Sequence, residues 1–178
     1  MIGSHNTMTY LRPLKWWQRL IAFTSRCQRK TIEEQYKAGV RYFDFRVKVK
    51  RDCNLCYAHG LMEYRYDDDR IEDILWRYPD VKARIVLEKG DKDLFRYHAH
   101  KILINYHSQI DYVVDDKKSW HIHWSNRNGY KYYDYYPQYP QDGLIPYPEK
   151  DYLRYAKPTD AYGDEIYKNN TVYLFDFI

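Results

Sequence analysis

The chain has 178 residues, a net charge of +4, a hydrophobic fraction of 44% and 22 tyrosines, and it predicts a single catalytic domain over residues 1–178 with a core of its own. The charge is weak and both signs are interspersed, so nucleic acid is not an expected partner. No apolar run approaches the ~20 residues that span a bilayer, and three cysteines without a visible signal peptide predict reduced thiols in a cytoplasmic location.

The chain begins with a predicted strand that is only a few residues long. An apolar residue and two small ones lead directly to His5, a pattern typical of a short strand that runs into a loop. Because α/β barrels place their catalytic groups at the carboxyl ends of their strands, this histidine is a candidate catalytic residue. Taken alone, it also fits a structural histidine.

Two further predicted strands end in polar residues. Segment 39–46 predicts a strand that carries Asp44 and Arg46 at its end, and segment 55–60 predicts another that ends in His59. The strand ends therefore supply two histidines, a carboxylate and a guanidinium within the first third of the chain. Three such ends in series indicate a common site rather than unrelated polar residues.

Three sequence blocks carry a resemblance to a known family. The order and spacing of residues 3–10, 34–47 and 59–61 resemble the catalytic region of the phosphatidylinositol-specific phospholipase C superfamily, and most closely its bacterial, metal-independent branch. Segment 171–178 is similar to the closing barrel strand of that family. The resemblance implies a compact, partly degenerate (β/α)8 TIM barrel, and the alternation of short strands with helices also predicts an α/β barrel.

The resemblance implies roles for the polar residues. His5 would be the base that removes the proton of the inositol 2-hydroxyl, and His59 the acid that protonates the diacylglycerol oxygen. Asp176 on the closing strand would orient His5. Asp44 and Arg46 complete the catalytic group, with the guanidinium contacting the phosphate. Two histidines suit this chemistry, because an imidazole pKa near ~6.5 lets one be neutral and the other charged at neutral pH.

Arg46 also leads us to expect catalysis without a metal or another cofactor. Calcium-dependent members of the family carry a carboxylate at this position as a metal ligand, whereas bacterial members carry an arginine. Asn6 and Glu88 match calcium ligands of the metal-dependent branch, and with Asp44 they form an alternative calcium site with fewer oxygens than calcium prefers. As substrate-binding residues we predict Asn6, Glu88 and Lys89.

Two adjacent tryptophans lie in the predicted helix over residues 11–23. Trp16 and Trp17 cannot share one helix face, so we expect one to pack inward and the other to reach the rim. Bacterial members carry a membrane-inserting tryptophan on a short helix in this region, which makes either residue a candidate for peripheral membrane contact. Segment 130–148 is rich in Tyr and Pro without a clean period, and it predicts a long ordered loop or lid.

The leading hypothesis is a phosphodiesterase, in which a neighbouring hydroxyl of the substrate attacks phosphorus. With phosphatidylinositol as substrate, the products would be a cyclic inositol phosphate and diacylglycerol. One alternative is another phosphodiester substrate, namely a glycerophosphodiester, a lysophospholipid or a nucleotide. Asn-Thr follows His5 where glycerophosphodiesterases typically have Arg-Gly, which disfavours that class. The other alternative is a catalytically inactive barrel that serves as a binding or structural module.

Overall fold

The computed structural model describes residues 1–115, 131–135, 171–175 and 178. This part of the chain contains eight strands, four α-helices and two 3₁₀ turns. In chain order they are β1 (Ile2–Ser4), a 3₁₀ turn (Thr7–Tyr10), α1 (Trp16–Leu20), a 3₁₀ turn (Ala22–Thr24), α2 (Ile32–Lys37), β2 (Tyr42–Val49), β3 (Leu55–His59), β4 (Met62–Arg65), α3 (Ile71–Arg77), β5 (Lys82–Lys89), α4 (Lys92–Tyr106), β6 (Ile110–Val114), β7 (Lys131–Tyr135) and β8 (Thr171–Phe175). Among these helices, none combines the length and the apolar character that crossing a membrane requires.

The strands form one open and mostly parallel sheet. Its order is β6–β5–β2–β1–β8–β7, with each strand parallel to its neighbours. The antiparallel hairpin of β3 and β4 branches from the carboxyl-terminal half of β2. Because β5 occupies one edge of β2, β1 and β3 share the other edge, β1 beside residues 42–43 and β3 beside residues 47–49. Residues 44–46 therefore lie between two strand ends.

The sequence predicted an α/β fold in the form of a compact, partly degenerate (β/α)8 barrel. The described residues confirm the mixed α/β class, but their sheet is open and does not close into a barrel. Strands β6 and β7 lie at the two edges of the sheet, and no pairing joins them in the described part of the chain. The β3–β4 hairpin is an addition to this sheet, because β2 also pairs with the parallel strand β5, which follows α3. A single domain over residues 1–178 stays a prediction.

The two faces of the sheet differ in polarity. Side chains alternate along a strand, so Phe43 and Phe45 point to one face of β2 while Asp44 and Arg46 point to the other. The phenylalanines belong to the main apolar core, which also includes Ile85 of β5. Helices α2, α3 and α4 cover this face with buried side chains, which are Ile32, Ile71, Ile74, Leu75, Phe95, Ala99 and Ile102.

Local signals in the sequence determine where two of the helices begin. Thr31 and Glu34 form the predicted capping box of α2: the Glu34 backbone N–H donates to the Thr31 hydroxyl, and the Thr31 N–H donates to the Glu34 carboxylate. Gly39 ends this region with φ 96°, a conformation that other residues adopt at a cost. The Asp91 side chain caps α4 by accepting from the Leu94 N–H.

Two predicted elements are corrected. The helix expected over residues 11–23 is confined to α1 and a 3₁₀ turn, because Pro13 pairs with Tyr64 in an isolated β-bridge and keeps the chain extended before α1. The segment 130–148, expected as a loop or lid, contains β7, which pairs with β8. The rest of that segment lies outside the described residues.

Candidate active site

His5 directly follows β1, at the point where the chain leaves the sheet. Gly3 allows β1 to lie close to β8, since a Cβ at this position would be only 2.7 Å from the Leu174 side chain. Asn6 then adopts the left-handed conformation (φ 45°, ψ 52°) and turns the chain sharply. Its backbone N–H donates to Asp44 Oδ2 at 3.1 Å. The turn therefore holds the buried His5 beside the middle of β2.

Asp44 is the centre of a buried ionic cluster. Its Oδ1 accepts from Arg84 Nε at 2.7 Å, and its Oδ2 accepts from Arg46 Nε at 3.1 Å. Burial acts to raise the pKa of Asp44, but the charges of Arg46 and Arg84 outweigh it and hold that pKa well below its usual range. Asp44 is therefore a fixed negative charge that orients two guanidinium groups.

Arg46 connects this carboxylate with His5. Its Nη2 lies 2.6 Å from His5 Nε2. Because a guanidinium only donates hydrogen bonds, Nε2 is the acceptor in this contact and presents its lone pair. The Asn6 amide nitrogen lies 3.2 Å from the same Nε2 atom. Two nitrogen donors therefore converge on the atom of His5 whose lone pair a general base would use.

His59 approaches the same place from the opposite direction. Strand β3 runs antiparallel to β2, so its last residue returns to the middle of β2. The His59 and His5 ring centroids are 6.3 Å apart, with the ring planes at 78°. His59 Nδ1 lies 2.7 Å from the Ser25 carbonyl oxygen. A carbonyl only accepts, so Nδ1 carries a proton and Nε2 is the nitrogen whose protonation can change.

Two side chains at this site were not singled out from the sequence. Arg84 stands directly opposite Asp44 in the β2–β5 register, and an arginine within an apolar strand was the signal that could have identified it. Cys27 is buried, with its sulfur 3.7 Å from His59 Nδ1 and 3.5 Å from the Asn6 amide nitrogen. Cys27 comes from a segment between a 3₁₀ turn and α2, where no periodic pattern indicates what a residue contacts.

Two of the predicted site residues, Glu88 and Lys89, lie apart from the cluster around Asp44. Glu88 is buried, and its Oε1 accepts from the backbone N–H of Gly60 at 2.9 Å, directly after His59. Lys89 is exposed at the end of β5, and no hydrogen bond or ion pair joins it to either histidine within the described residues. Asp176 lies outside the described residues, so its role toward His5 stays a prediction.

Protein groups engage some of the oxygen atoms of the alternative calcium site, although Asn6 Oδ1 accepts no hydrogen bond from the described residues. Both carboxylate oxygens of Asp44 accept from guanidinium groups, and Glu88 accepts from a backbone N–H. A calcium ion held by Asn6, Asp44 and Glu88 would have to displace two cations that it also repels. In the described ranges, His, Cys, Asp and Glu side chains form no group of three or more with the spacing to hold a metal ion.

An exposed apolar patch, which we call the apolar rim, borders the site. Its members are Trp16, Trp17, Leu20, Phe23 and Leu61. The Gln18 side chain donates to the Leu61 carbonyl at 2.6 Å and ties α1 to the turn that follows His59. The expectation that one tryptophan packs inward is wrong, because α1 is a five-residue surface helix and both tryptophans are exposed, Trp16 at 72% and Trp17 at 39%.

Comparisons with known proteins give structural similarity alone. No family model matches the chain, and no curated protein matches it. The chain is similar to phosphatidylinositol-specific phospholipase C from Listeria monocytogenes, with 20% identity and a TM-score of 0.48 over 66% of this chain and 51% of that one. It is also similar to two structures of the Staphylococcus aureus enzyme of the same name. One was determined to study membrane binding (21% identity, TM-score 0.36, 66% of this chain and 32% of that one), and the other is a mutant (22% identity, TM-score 0.42, 57% and 37%).

These similarities do not establish the family of the chain. The identities are near one fifth and the TM-scores lie below 0.5. The chain also spans about half the length of the Listeria enzyme and about a third of the Staphylococcus enzyme.

Proposed function

We propose that this protein is a phosphodiesterase in which a neighbouring hydroxyl of the substrate attacks phosphorus, with His5 as general base and His59 as general acid. The observation that carries the proposal is the pair of imidazole rings, 6.3 Å apart, beside a buried arginine that contacts one of them. Displacement at phosphorus needs a proton acceptor for the attacking oxygen, a proton donor for the leaving oxygen and positive charge on the phosphoryl oxygens. His5, His59 and Arg46 supply one each.

The first half of the proposed reaction uses Nε2 of His5. This nitrogen accepts a hydrogen bond from Arg46 in the absence of substrate. When the guanidinium donates to a phosphoryl oxygen instead, Nε2 becomes available to the substrate hydroxyl. The hydroxyl oxygen forms the new bond to phosphorus while its proton passes to His5. Asp176 would stabilise the resulting imidazolium, a role that rests on the sequence resemblance.

The second half uses Nε2 of His59. Its Nδ1 proton is held by the Ser25 carbonyl, so the protonated ring presents its second N–H at Nε2. The bond from phosphorus to the leaving oxygen breaks, and that oxygen takes the proton from His59. The products are a cyclic phosphate and a free alcohol. His5 then releases its proton to solvent and His59 takes one up, which restores both residues.

Arg46 supplies the positive charge at phosphorus, and we propose that the reaction needs no metal ion. A guanidinium is always charged and can hold two phosphoryl oxygens through its planar fork. Asp44 limits its movement through Nε, which leaves the outer nitrogens to meet the substrate. Arg84 is bonded to the other oxygen of the same carboxylate and positions Asp44 in turn.

Phosphatidylinositol is the substrate that we propose, on the strength of the resemblance over residues 3–10, 34–47 and 59–61. Asn6 Oδ1 is buried and accepts no hydrogen bond from the described residues, so a substrate hydroxyl can satisfy it, which favours a polyhydroxylated head group. The apolar rim beside His59 suits contact with a lipid surface, because tryptophan is enriched at membrane interfaces. The cytoplasmic location remains part of the proposal.

The experiment that tests this function identifies the first product. The full chain is incubated with phosphatidylinositol in mixed micelles and, separately, with a glycerophosphodiester, a lysophospholipid and a dinucleotide, and phosphorus NMR follows each reaction. A cyclic phosphate as the first product from phosphatidylinositol supports the proposal. A linear monoester as the first product excludes attack by the neighbouring hydroxyl. If the folded protein turns over none of these substrates, the inactive-module alternative is favoured.

A further inference from the structure

A second cavity, which we call the basic cleft, lies outside the candidate active site. Its volume is about 530 Å³, and its walls come from the turn between β2 and β3, the segment from the end of β4 to the start of α3, and α4. None of the residues that line it belongs to the cluster around the two histidines. The volume lies within the range of about 300–1,000 Å³ that is typical of small-molecule sites.

Positive charge predominates in the basic cleft. Three separate segments contribute the basic side chains, which are Lys50, Arg65, Arg70 and Lys101. The acidic side chains are Asp67 and Glu72. Asp73, outside the cleft, engages Arg70 through two hydrogen bonds, and Glu72 accepts from the Tyr66 hydroxyl. In the described part of the chain, hydrogen bonds within the protein therefore engage some of the charged side chains of the cleft, but they do not engage those of its two lysines.

Lys50 and Lys101 are the cations that the cleft offers to a ligand. Within the described residues neither forms an ion pair, and Lys101 instead lies 4.4 Å from the centre of the Tyr97 ring. Lys50 is half-buried and Lys101 is exposed. An anion between the two lysines would pair with both ammonium groups. The lysine ammonium is a compact charge that commonly binds phosphate.

Apolar and hydrogen-bonding groups complete the cleft. Leu55 and the buried Ile102 line it beside the lysines. His98 is half-buried there, and its Nε2 lies 2.8 Å from the Cys53 carbonyl oxygen, which holds the ring in place. A ligand that matches these walls has one anionic end and a small organic body. An inorganic ion alone would leave the accessible part of Leu55 uncovered.

We propose that the basic cleft binds a phosphate ester, with the phosphate between Lys50 and Lys101 and the organic part against Leu55. The inference does not depend on the proposed function, because the cleft and the two histidines share no residue. The phosphate can belong to a soluble ester or to an anionic lipid head group. Leu14 also lines the cleft and stands two residues before Trp16 of the apolar rim, so both sources are to be tested.

Histidine NMR of the full chain separates this cleft from the active site. Glycerol 3-phosphate is titrated while the imidazole signals of His98 report on the cleft and those of His59 on the catalytic residues. We expect a saturable change at His98 that neutral glycerol does not produce. Lys50→Gln and Lys101→Gln should each weaken the affinity seen at His98 about tenfold, because a charge-assisted hydrogen bond is lost. The Lys50→Arg variant, which keeps the positive charge, should retain most of the wild-type affinity.

Lys92→Gln is the matched control, because it removes one positive charge from the exposed start of α4 without touching the cleft. The second arm measures sedimentation with phosphatidylcholine vesicles that contain phosphatidic acid. If glycerol 3-phosphate binds, the ligand of the cleft is a soluble ester. If the Lys50→Gln/Lys101→Gln variant no longer binds the vesicles, the ligand is a lipid head group. The proposal is overturned if glycerol 3-phosphate causes no saturable change at His98 and the Lys50→Gln/Lys101→Gln variant sediments with vesicles as the wild type does. It is also overturned if Lys92→Gln weakens binding as much as the cleft variants do. Cleavage of phosphatidylinositol, measured separately, decides the proposed function.

Discussion

The two faces of β2 serve different purposes although they belong to one strand. Phe43 and Phe45 are fully buried in the apolar core, against side chains of α2, α3 and α4. Asp44 and Arg46 are also buried, but in a layer of charges that Arg84 completes. This polar face is unusual, because charged side chains are almost never fully buried unless they are paired.

The two faces of β2 should contribute differently to the free energy of unfolding and to catalysis. Apolar burial contributes most of the free energy of folding, whereas a buried ionic cluster is a weak source of stability whose partners become costly when one is removed. The helix-covered face should therefore determine the free energy of unfolding, and the polar face should determine activity. Substitutions of neighbouring residues on β2 can test this difference between the two faces.

The largest expected effect is on catalysis. His5→Ala and His59→Ala should each lower kcat by about 10²-fold or more, because each removes one proton-transfer group. The wild-type activity should show a bell-shaped dependence on pH, and each variant should lose one limb. Kinetics on phosphatidylinositol and circular dichroism provide the measurements. The core variant Phe45→Ala should do the opposite, losing ~3–5 kcal/mol of stability while the remaining folded protein keeps its rate. A folded histidine variant with nearly wild-type kcat would refute the assignment of that residue.

The next effect is on stability, and it comes from the polar face. Asp44→Asn leaves the guanidinium groups of Arg46 and Arg84 buried without their shared counter-charge, so denaturant unfolding should show a loss of ~3–5 kcal/mol. Adding Arg84→Met should restore part of this loss, because one of the unpaired charges is removed with it. Glu33→Gln, in an exposed pair with Lys37, serves as control and should leave the unfolding curve unchanged. An Asp44→Asn protein as stable as wild type would contradict the ionic cluster.

The contribution of Asp44 should also depend on pH in a defined direction. Its pKa in the folded protein is below the ordinary value of ~3.9, so folding favours the charged form. The stabilisation is fully present above about pH 5 and is lost progressively as the pH falls through and below ~4, toward the folded-state pKa. The difference in unfolding free energy between wild type and Asp44→Asn should therefore be constant near neutrality and shrink in acid. A difference that grows on acidification would show that the sign is wrong.

A smaller loss of kcat is expected when Arg46 is replaced by lysine, which keeps the positive charge but lacks the planar guanidinium. Arg46→Lys cannot reproduce the contact with Asp44 and a two-oxygen grip on phosphate at once, so kcat should fall about tenfold or more. Wild-type turnover should persist in EDTA, and added calcium should not increase it. Abolition by EDTA with recovery on adding calcium would instead favour the alternative site at Asn6, Asp44 and Glu88.

Local and periodic features of this molecule were predictable from the sequence. The short strand before His5, the capping box at Thr31 and the strand through Asp44 all follow from patterns within a few residues, and the structure confirms them. The α/β class was predictable for the same reason. These features depend on turn residues and on alternation, both of which a single sequence displays.

Features that depend on which segments meet were not predictable in the same way. The alternation of polar and apolar residues does not show whether β3 pairs with β2 in the parallel or the antiparallel direction. The antiparallel direction is what returns His59 to the middle of β2. The sequence placed Asp44 and Arg46 at the end of their strand, but the pairing puts them between two other strand ends. Cys27 contacts His59 through a loop, and sheet closure depends on long-range pairing, which no local pattern encodes.

The smallest expected effect concerns the apolar rim, where two tryptophans of similar exposure allow a matched test. Trp16 is 72% exposed on α1, beside the turn after His59, and Trp76 is 78% exposed on α3, outside the rim. If location rather than exposure matters, Trp16→Ala should weaken partition onto phosphatidylinositol-containing vesicles about fivefold, whereas Trp76→Ala should leave it unchanged. Turnover of a soluble phosphodiester should be the same in both variants, because neither residue touches the histidines. Equal weakening by both variants would show that any exposed tryptophan suffices, and equal loss on both substrates in Trp16→Ala would assign that residue to packing of α1 instead.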